Sequence, residues 1–469
     1  MSLLRNSWWH KYFSIALLLI APNFIAVRSE ELVIISPHWD GLRQEIKAGF
    51  SNWLTSRGYE TPTFRFLDVG GGSDIIKYVK AQYQDAPHGI GIDLIWGGGT
   101  DPFLALENTN HLIPATLSLE VLNAIPTSIL GTPLRGRSNN WLAVNLSAFG
   151  ILYNKVLVSR LNLPVPETWE ILGNPRLFSW VSSADPRKSA SAHVVYEIIL
   201  QAYGWDNGWK ILNSIAANTR SFTSSSAQTP QDISIGEVAY GFVIDSYGLQ
   251  AIDRVGSDKL GFVIPRNLTA LSGDGVAMLR GAPHPELASL FIEFLISKSG
   301  QTILMAKKNT AGGPTHYELA KMSVRPELYY ELGENRSVPF NPFEWKTNFQ
   351  YDFQLASTRW GLVNDLIGVF LIQENEVLKT TQVQLMKSGN SLATKSNPPL
   401  SESVATALLA SDEFEKPEVR MNTILNWQNQ TKDTNSLLLK LENTPFVLLL
   451  FITAIALVNK IRGYLRNRR

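Results

Sequence analysis

Apolar residues along the chain repeat with two periods, and the switches between them outline alternating strands and helices. Residues 31–36 (ELVIIS) form a short apolar, β-branched run that ends at Pro37-His38-Trp39-Asp40-Gly41. Over 42–54, Leu42, Ile46, Phe50 and Trp53/Leu54 fall on one helical face. A second strand is predicted at 64–68, a glycine turn at 70–73, an amphipathic helix at 75–83 and a third strand at 93–96, broken by Gly97-Gly98-Gly99. This order predicts a mainly parallel sheet with helices on its faces. Ligands of such sheets lie beyond the carboxyl ends of the strands, here the loops 36–41, 70–73 and 97–103.

A second α/β unit is predicted from about Trp141. Its pieces are 150–154, Pro166-Glu167-Thr168-Trp169, the helix 192–203 opened by Ser189-Ala190-Ser191, the loop Ser224–Ser226 and the strand 237–243. Apolar runs at 276–279 and 285–296 return the chain, and 340–430 reads as mostly helical.

Both ends are hydrophobic. Arg5, His10 and Lys11 precede an apolar run at 12–27, which reads as an export signal. An uncleaved anchor is the alternative, weakened by Pro22 and Asn23. Residues 446–458 carry no charge and are followed by Lys460, Arg462, Arg466, Arg468 and Arg469, the pattern of a membrane helix with a cytoplasmic basic end. The expected layout is signal or anchor 1–29, external domain 30–435, transmembrane anchor 436–459 and basic tail 460–469.

Composition narrows the function. In 469 residues, 42 Lys+Arg balance 41 Asp+Glu, which leaves no basic excess for nucleic acid. The absence of cysteine removes disulfides, thiolate metal sites and cysteine nucleophiles. A 45% hydrophobic content supports a large core. The pairs Ser36-x-His38 and Ser191-x-His193 lack a nucleophile elbow, so a serine hydrolase ranks far behind a binding protein. The glycine runs lack the Lys-Ser/Thr of a P-loop. Ser189 and Ser191 at a helix start suit an anion, although an ordinary N-cap accounts for the same pattern. Trp39 borders the first cleft loop and suits stacking on a ligand, or packing in the core.

Six segments, in order, resemble the extracellular solute-binding proteins of bacterial ABC importers, in the branch that includes ferric-iron-binding proteins. They are ELVIISPHWDG, DLIWGGGTDPF, GILYNKVLVSRLNLPVPETWEIL, DPRKSASAHVVYEIILQAYGW, GEVAYGFVIDSYGLQAI and GDGVAMLRGAPHPELASLFIEFLISKSGQ. The resemblance implies an α/β, two-lobed type 2 periplasmic-binding fold without catalysis. Lobe 1 then spans about 30–140 and 268–330, lobe 2 about 141–267, and a helical extension about 331–435. It also implies a hinge that closes on a small solute and delivers it to permease and ATPase subunits at the outer face of the cytoplasmic membrane.

In the ferric branch, iron is held by His, a carboxylate and paired tyrosines with a synergistic anion. His38 stands at the family's histidine position and Tyr247 at that of the second tyrosine. Ser246 occupies the first tyrosine's place and Gly98 the carboxylate's, with Asp101 three residues on. The ligand set implied is His38, Trp39, Asp101, Ser189, Ala190, Ser191, Ser226, Ser246 and Tyr247. His38 and Tyr247 are the metal donors, for Fe(III) with phosphate or carbonate. A non-metal solute (an anion, polyamine, or sugar-like or thiamine-like molecule) and a membrane-tethered sensor remain open as alternatives.

Overall fold

The structure, a computed structural model, describes residues 30–441 apart from 108, 266, 393–395, 412 and 415. The expected signal segment and most of the expected transmembrane anchor lie outside the described residues.

Strand Glu31–Ile35 shows why the apolar run reads as it does. Leu32 and Ile34 point into one core, Val33 and Ile35 into another. A strand flanked on both faces is apolar throughout, as in covered parallel sheets. It pairs in parallel with Thr63–Leu67 and with Leu94–Trp96. Helix Asp40–Thr55 buries Leu42, Ile46, Phe50, Trp53 and Leu54 on one face of this sheet. Helix Gly72–Asp85 sets Ile75, Val79 and Tyr83 on the other. Full burial of each such side chain contributes about 1.5–3 kcal/mol.

Eight strands form a continuous path in the order Thr63–Leu67, Glu31–Ile35, Leu94–Trp96, Leu271–Leu279, Leu142–Asn154, Tyr240–Ile244, Val181–Ala184, Thr219–Thr223. The 13-residue strand Leu142–Asn154 joins the two halves. Its residues 142–148 pair with the strand Leu271–Leu279, while Phe149 to Tyr153 pair with Tyr240–Ile244. The chain thus changes halves at Ser147–Phe149 and again at Ala270–Leu271. A third passage, around 346–350, leads from the first core, which packs Trp345, to the second, which packs Phe349 and Tyr351.

The mostly helical reading of 340–430 holds in outline: Phe353–Ile367, Asn375–Lys387, Glu402–Leu409 and Pro417–Leu441 are helices. Leu362, Val363, Leu366 and Ile367 join the core of the second half, and Arg359 pairs with Glu197 of helix Ala190–Tyr203 at 2.6 Å with both side chains buried. Among the described residues one continuous helical stretch, Phe353–Gln373, is long and apolar enough to cross a membrane. Half of its most apolar window is buried in the fold, as in a core helix.

Candidate functional site: a polar cleft at the crossing strands

All nine residues singled out for ligand contact lie on the wall of one cavity of about 290 Å3. Its floor is the crossing itself, with Ser147, Phe149 and Ser272. The first half supplies His38, Trp39, Gly70–Gly72, Asp101 and Asp274, and the second half supplies Ser189–Ser191, Ser224–Ser226, Ser246 and Tyr247.

His38 leaves the first strand and packs edge-on against Trp96, with ring centroids 4.5 Å apart. It is 8% exposed, and its Nε2 lies 3.5 Å from Asp274 Oδ2. Burial drives its pKa down to about 4, outweighing the Asp274 carboxylate, so the ring is neutral at physiological pH. Gly97, at φ +101°, makes this packing possible, since a Cβ there would stand 2.7 Å from His38 Nε2. Asp274 accepts the Gly99 N–H at 2.9 Å, tying the glycine loop to the crossing strand. Asp101 opens the helix Asp101–Glu107, and burial lifts its carboxyl to about 7.

Across the cleft, helix Ala190–Tyr203 begins at Ser189, whose Oγ accepts the Ala192 N–H at 3.3 Å. Capping geometry therefore exists, and it stands at the cavity. Ser191 Oγ lies 2.8 Å from Ser226 Oγ and 3.2 Å from Ser189 Oγ, and Ser189 also contacts Ser226. Three hydroxyls thus converge at a helix N-terminus, where backbone N–H groups and the dipole favour negative charge. Ser246 presents a buried hydroxyl with no hydrogen-bond partner among the described residues. Tyr247 lines the cavity near Asp274, and burial raises its hydroxyl pKa.

Lys321 was missed by sequence reasoning. It is 7% exposed, lines the cavity, and forms no ion pair within 4.0 Å among the described residues. It lies close enough to His38 and Asp245 to lower the proton affinity of both. Asp245 is 1% exposed, and burial raises its carboxyl to about 7 despite the lysine. The available signal was a lone charge in the apolar run Leu319-Ala320-Lys321-Met322, a segment held by pairing of Met322 with Leu146. Among the described residues no group of three or more His, Asp or Glu side chains converges as a metal site.

Two α/β halves joined by crossing strands around a polar cleft define the fold of type 2 periplasmic binding proteins. It is similar to that of the periplasmic binding protein AfuA from Actinobacillus pleuropneumoniae with exogenous fructose-6-phosphate bound. The TM-score is 0.59 at 20% identity, over 73% of this chain and 99% of that one. The apo ferric ion-binding protein A of Pasteurella haemolytica is similar at TM-score 0.54 and 14% identity, over 72% and 97%. A family described as bacterial extracellular solute-binding protein matches residues 106–328. The phosphoglycerate transport regulatory protein PgtC of Salmonella typhimurium is 30% identical over 293 residues, which are 60% of this chain and 69% of the relative. The chain belongs to the bacterial extracellular solute-binding family. As a member of that family it is a solute-binding protein.

Proposed function

We propose that this protein captures a small organic phosphate outside the cytoplasmic membrane and presents it to the permease of an ABC importer. The observation that carries the reading is Lys321, a buried cation on the wall of a cavity whose opposite side gathers Ser189, Ser191 and Ser226 at a helix start. A phosphate offers several acceptor oxygens and a double charge, matching hydroxyl, backbone N–H and ammonium donors. Lys321 is buried with no ion pair within 4.0 Å among the described residues, so an anionic guest offsets the part of its desolvation cost that the nearby Asp245 leaves uncompensated. The cavity volume suits a solute of phosphoglycerate or sugar-phosphate size. The names of PgtC and of the fructose-6-phosphate complex of AfuA point the same way.

The ligand touches both halves only when they close about the crossings at Ser147–Phe149 and Ala270–Leu271. Contacts present only in the closed state shift the hinge equilibrium, and the closed form docks on the permease. In this reading residues 436–459 tether the domain and raise its effective concentration at that partner. PgtC's regulatory designation favours a second destination for the same event, a ligand sensor at the membrane.

Ferric iron is the second reading of the ligand, favoured by His38, Asp274 and Tyr247 lining the same cavity. Lys321 weighs against it, because an ammonium repels a trivalent cation. Calorimetric titration with 3-phosphoglycerate, fructose-6-phosphate and inorganic phosphate tests the proposal, and saturable one-to-one binding of an organic phosphate is expected. A visible tyrosinate-to-iron band with ferric salt and carbonate, lost in Tyr247→Phe, would establish the metal reading instead.

A further inference from the structure

Trp360, Asn364 and Gly368 are spaced four apart, so they form one stripe along the helix Phe353–Ile367 and into the π-helical turns Gly368–Gln373. Each meets the segment that carries the cleft serines. Trp360 stacks on His193, with ring centroids 3.6 Å apart. His193, four residues after Ser189, is fully buried, and its main-chain N–H donates to the Ser189 carbonyl. Asn364, oriented to satisfy all its partners, donates to the Pro186 carbonyl at 3.3 Å and to His193 Nδ1 at 2.8 Å, and accepts from Trp360 Nε1 at 3.0 Å. An accepting Nδ1 requires a neutral ring, and burial holds the His193 pKa down at about 4. Gly368 leaves room for Arg187, whose Nη1 would lie 2.8 Å from a Cβ at that position. Arg187 in turn makes a bidentate pair with Asp185.

The stripe therefore contacts Pro186, Arg187 and His193, while Ser189 and Ser191 line the cleft. Within the second half this segment is a loop and a first helical turn, tied by the Asp185 N–H donating to the Thr223 carbonyl and by the contacts of Ser189 and Ser191 with Ser226, and the stripe adds a support on its other side. A π-helical departure at the end of the stripe fits a place where sequence has been fitted to function rather than to regular winding.

We infer that the helix Phe353–Ile367, with its π-helical continuation, is a splint for the serine loop, and that Trp360, Asn364 and Gly368 are positioning residues for ligand binding. The inference rests on the organic-phosphate reading of the cleft but concerns a different surface. Its mechanism is preorganisation: hydroxyls and amides already held in place lose less freedom when the anion arrives.

The test uses the full-length chain and two readouts. Amide hydrogen exchange is measured without ligand across the helix Ala190–Tyr203, and 3-phosphoglycerate affinity is measured by calorimetry well below the melting temperature. Asn364→Leu keeps the volume and deletes the hydrogen bonds, and Gly368→Ala displaces Arg187. For Asn364→Leu and Gly368→Ala, exchange at residues 190–193 should rise about tenfold while residues 198–203 are unchanged. Affinity in both should fall about tenfold. Unchanged exchange at 190–193, or an equal rise along the whole helix, overturns the splint, as does unchanged affinity in both variants. If Asn364→Leu does not fold, Gly368→Ala decides. If the wild type binds no phosphate probe, the proposed function falls and the exchange pattern alone decides the splint.

Discussion

Lys321 and Asp101 are a buried base and a buried acid lining one cavity, and each makes a separate prediction. Lys321→Met removes a charge-assisted donor worth about 1.5–3 kcal/mol, so phosphate affinity should fall roughly 10- to 100-fold in calorimetry. Thermal stability of the unliganded protein should hold or rise, because a desolvated ammonium is gone. Asp101 is linked to pH. Its carboxyl titrates near 7 in the fold against an ordinary value of 3.8, so between those values the folded state holds a proton that the unfolded chain has lost. Stability from this residue is therefore lost as pH rises from about 4 to 7. Asp101→Asn should melt like the wild type near pH 3.8 and increasingly above it towards pH 8, and a constant difference across that range contradicts the assignment. His38 was legible in the sequence from its place after the first strand in the family resemblance, and the serines from their place at a helix start. Lys321 escaped because its partners are 76 or more residues away and its immediate neighbours read only as core.

Two short elements carry the cleft's geometry. The turn at Gly97–Gly99 places His38, and Gly97→Ala forces an L-residue into a positive φ that costs about 1–2 kcal/mol while its Cβ presses on the imidazole. A lowered melting temperature and a weaker phosphate response should appear together. The start of helix Ala190–Tyr203 makes a different case. Ser189→Ala loses the cap to the Ala192 N–H, worth about 1 kcal/mol, and one ligand-facing hydroxyl, so affinity should fall further than stability does. Equal losses would leave only the cap. The 3.6-residue and alternating periods located these helices and strands to within a few residues, since each strand or helix buries its own apolar stripe. The strand predicted at 237–243 begins later, at Tyr240, because Gly236 takes the left-handed cap (φ 82°) of helix Gln228–Ile235 and the next residues form the turn. The length of Leu142–Asn154 was less legible: only its end, 150–154, reads as a strand, although it threads both halves.

At the scale of the molecule, the order of strands follows from the alternating pattern, but the join between halves depends on pairing between Leu142–Asn154 and Leu271–Leu279, more than a hundred residues apart. No local periodicity encodes such a contact. The resemblance to solute-binding proteins supplied it, and the sheet path has the same form. The docking of the helical extension on the second half, through Glu197 and Arg359, was equally out of reach of local pattern. Small-angle X-ray scattering of the purified chain, titrated with 3-phosphoglycerate in parallel with Lys321→Met, is the most direct measurement of what the cleft does. The wild-type curve should shift to a more compact form and saturate at one ligand per chain, and the variant's should not move at the same concentrations. A wild-type curve that ignores every organic phosphate yet contracts with ferric iron would contradict the account.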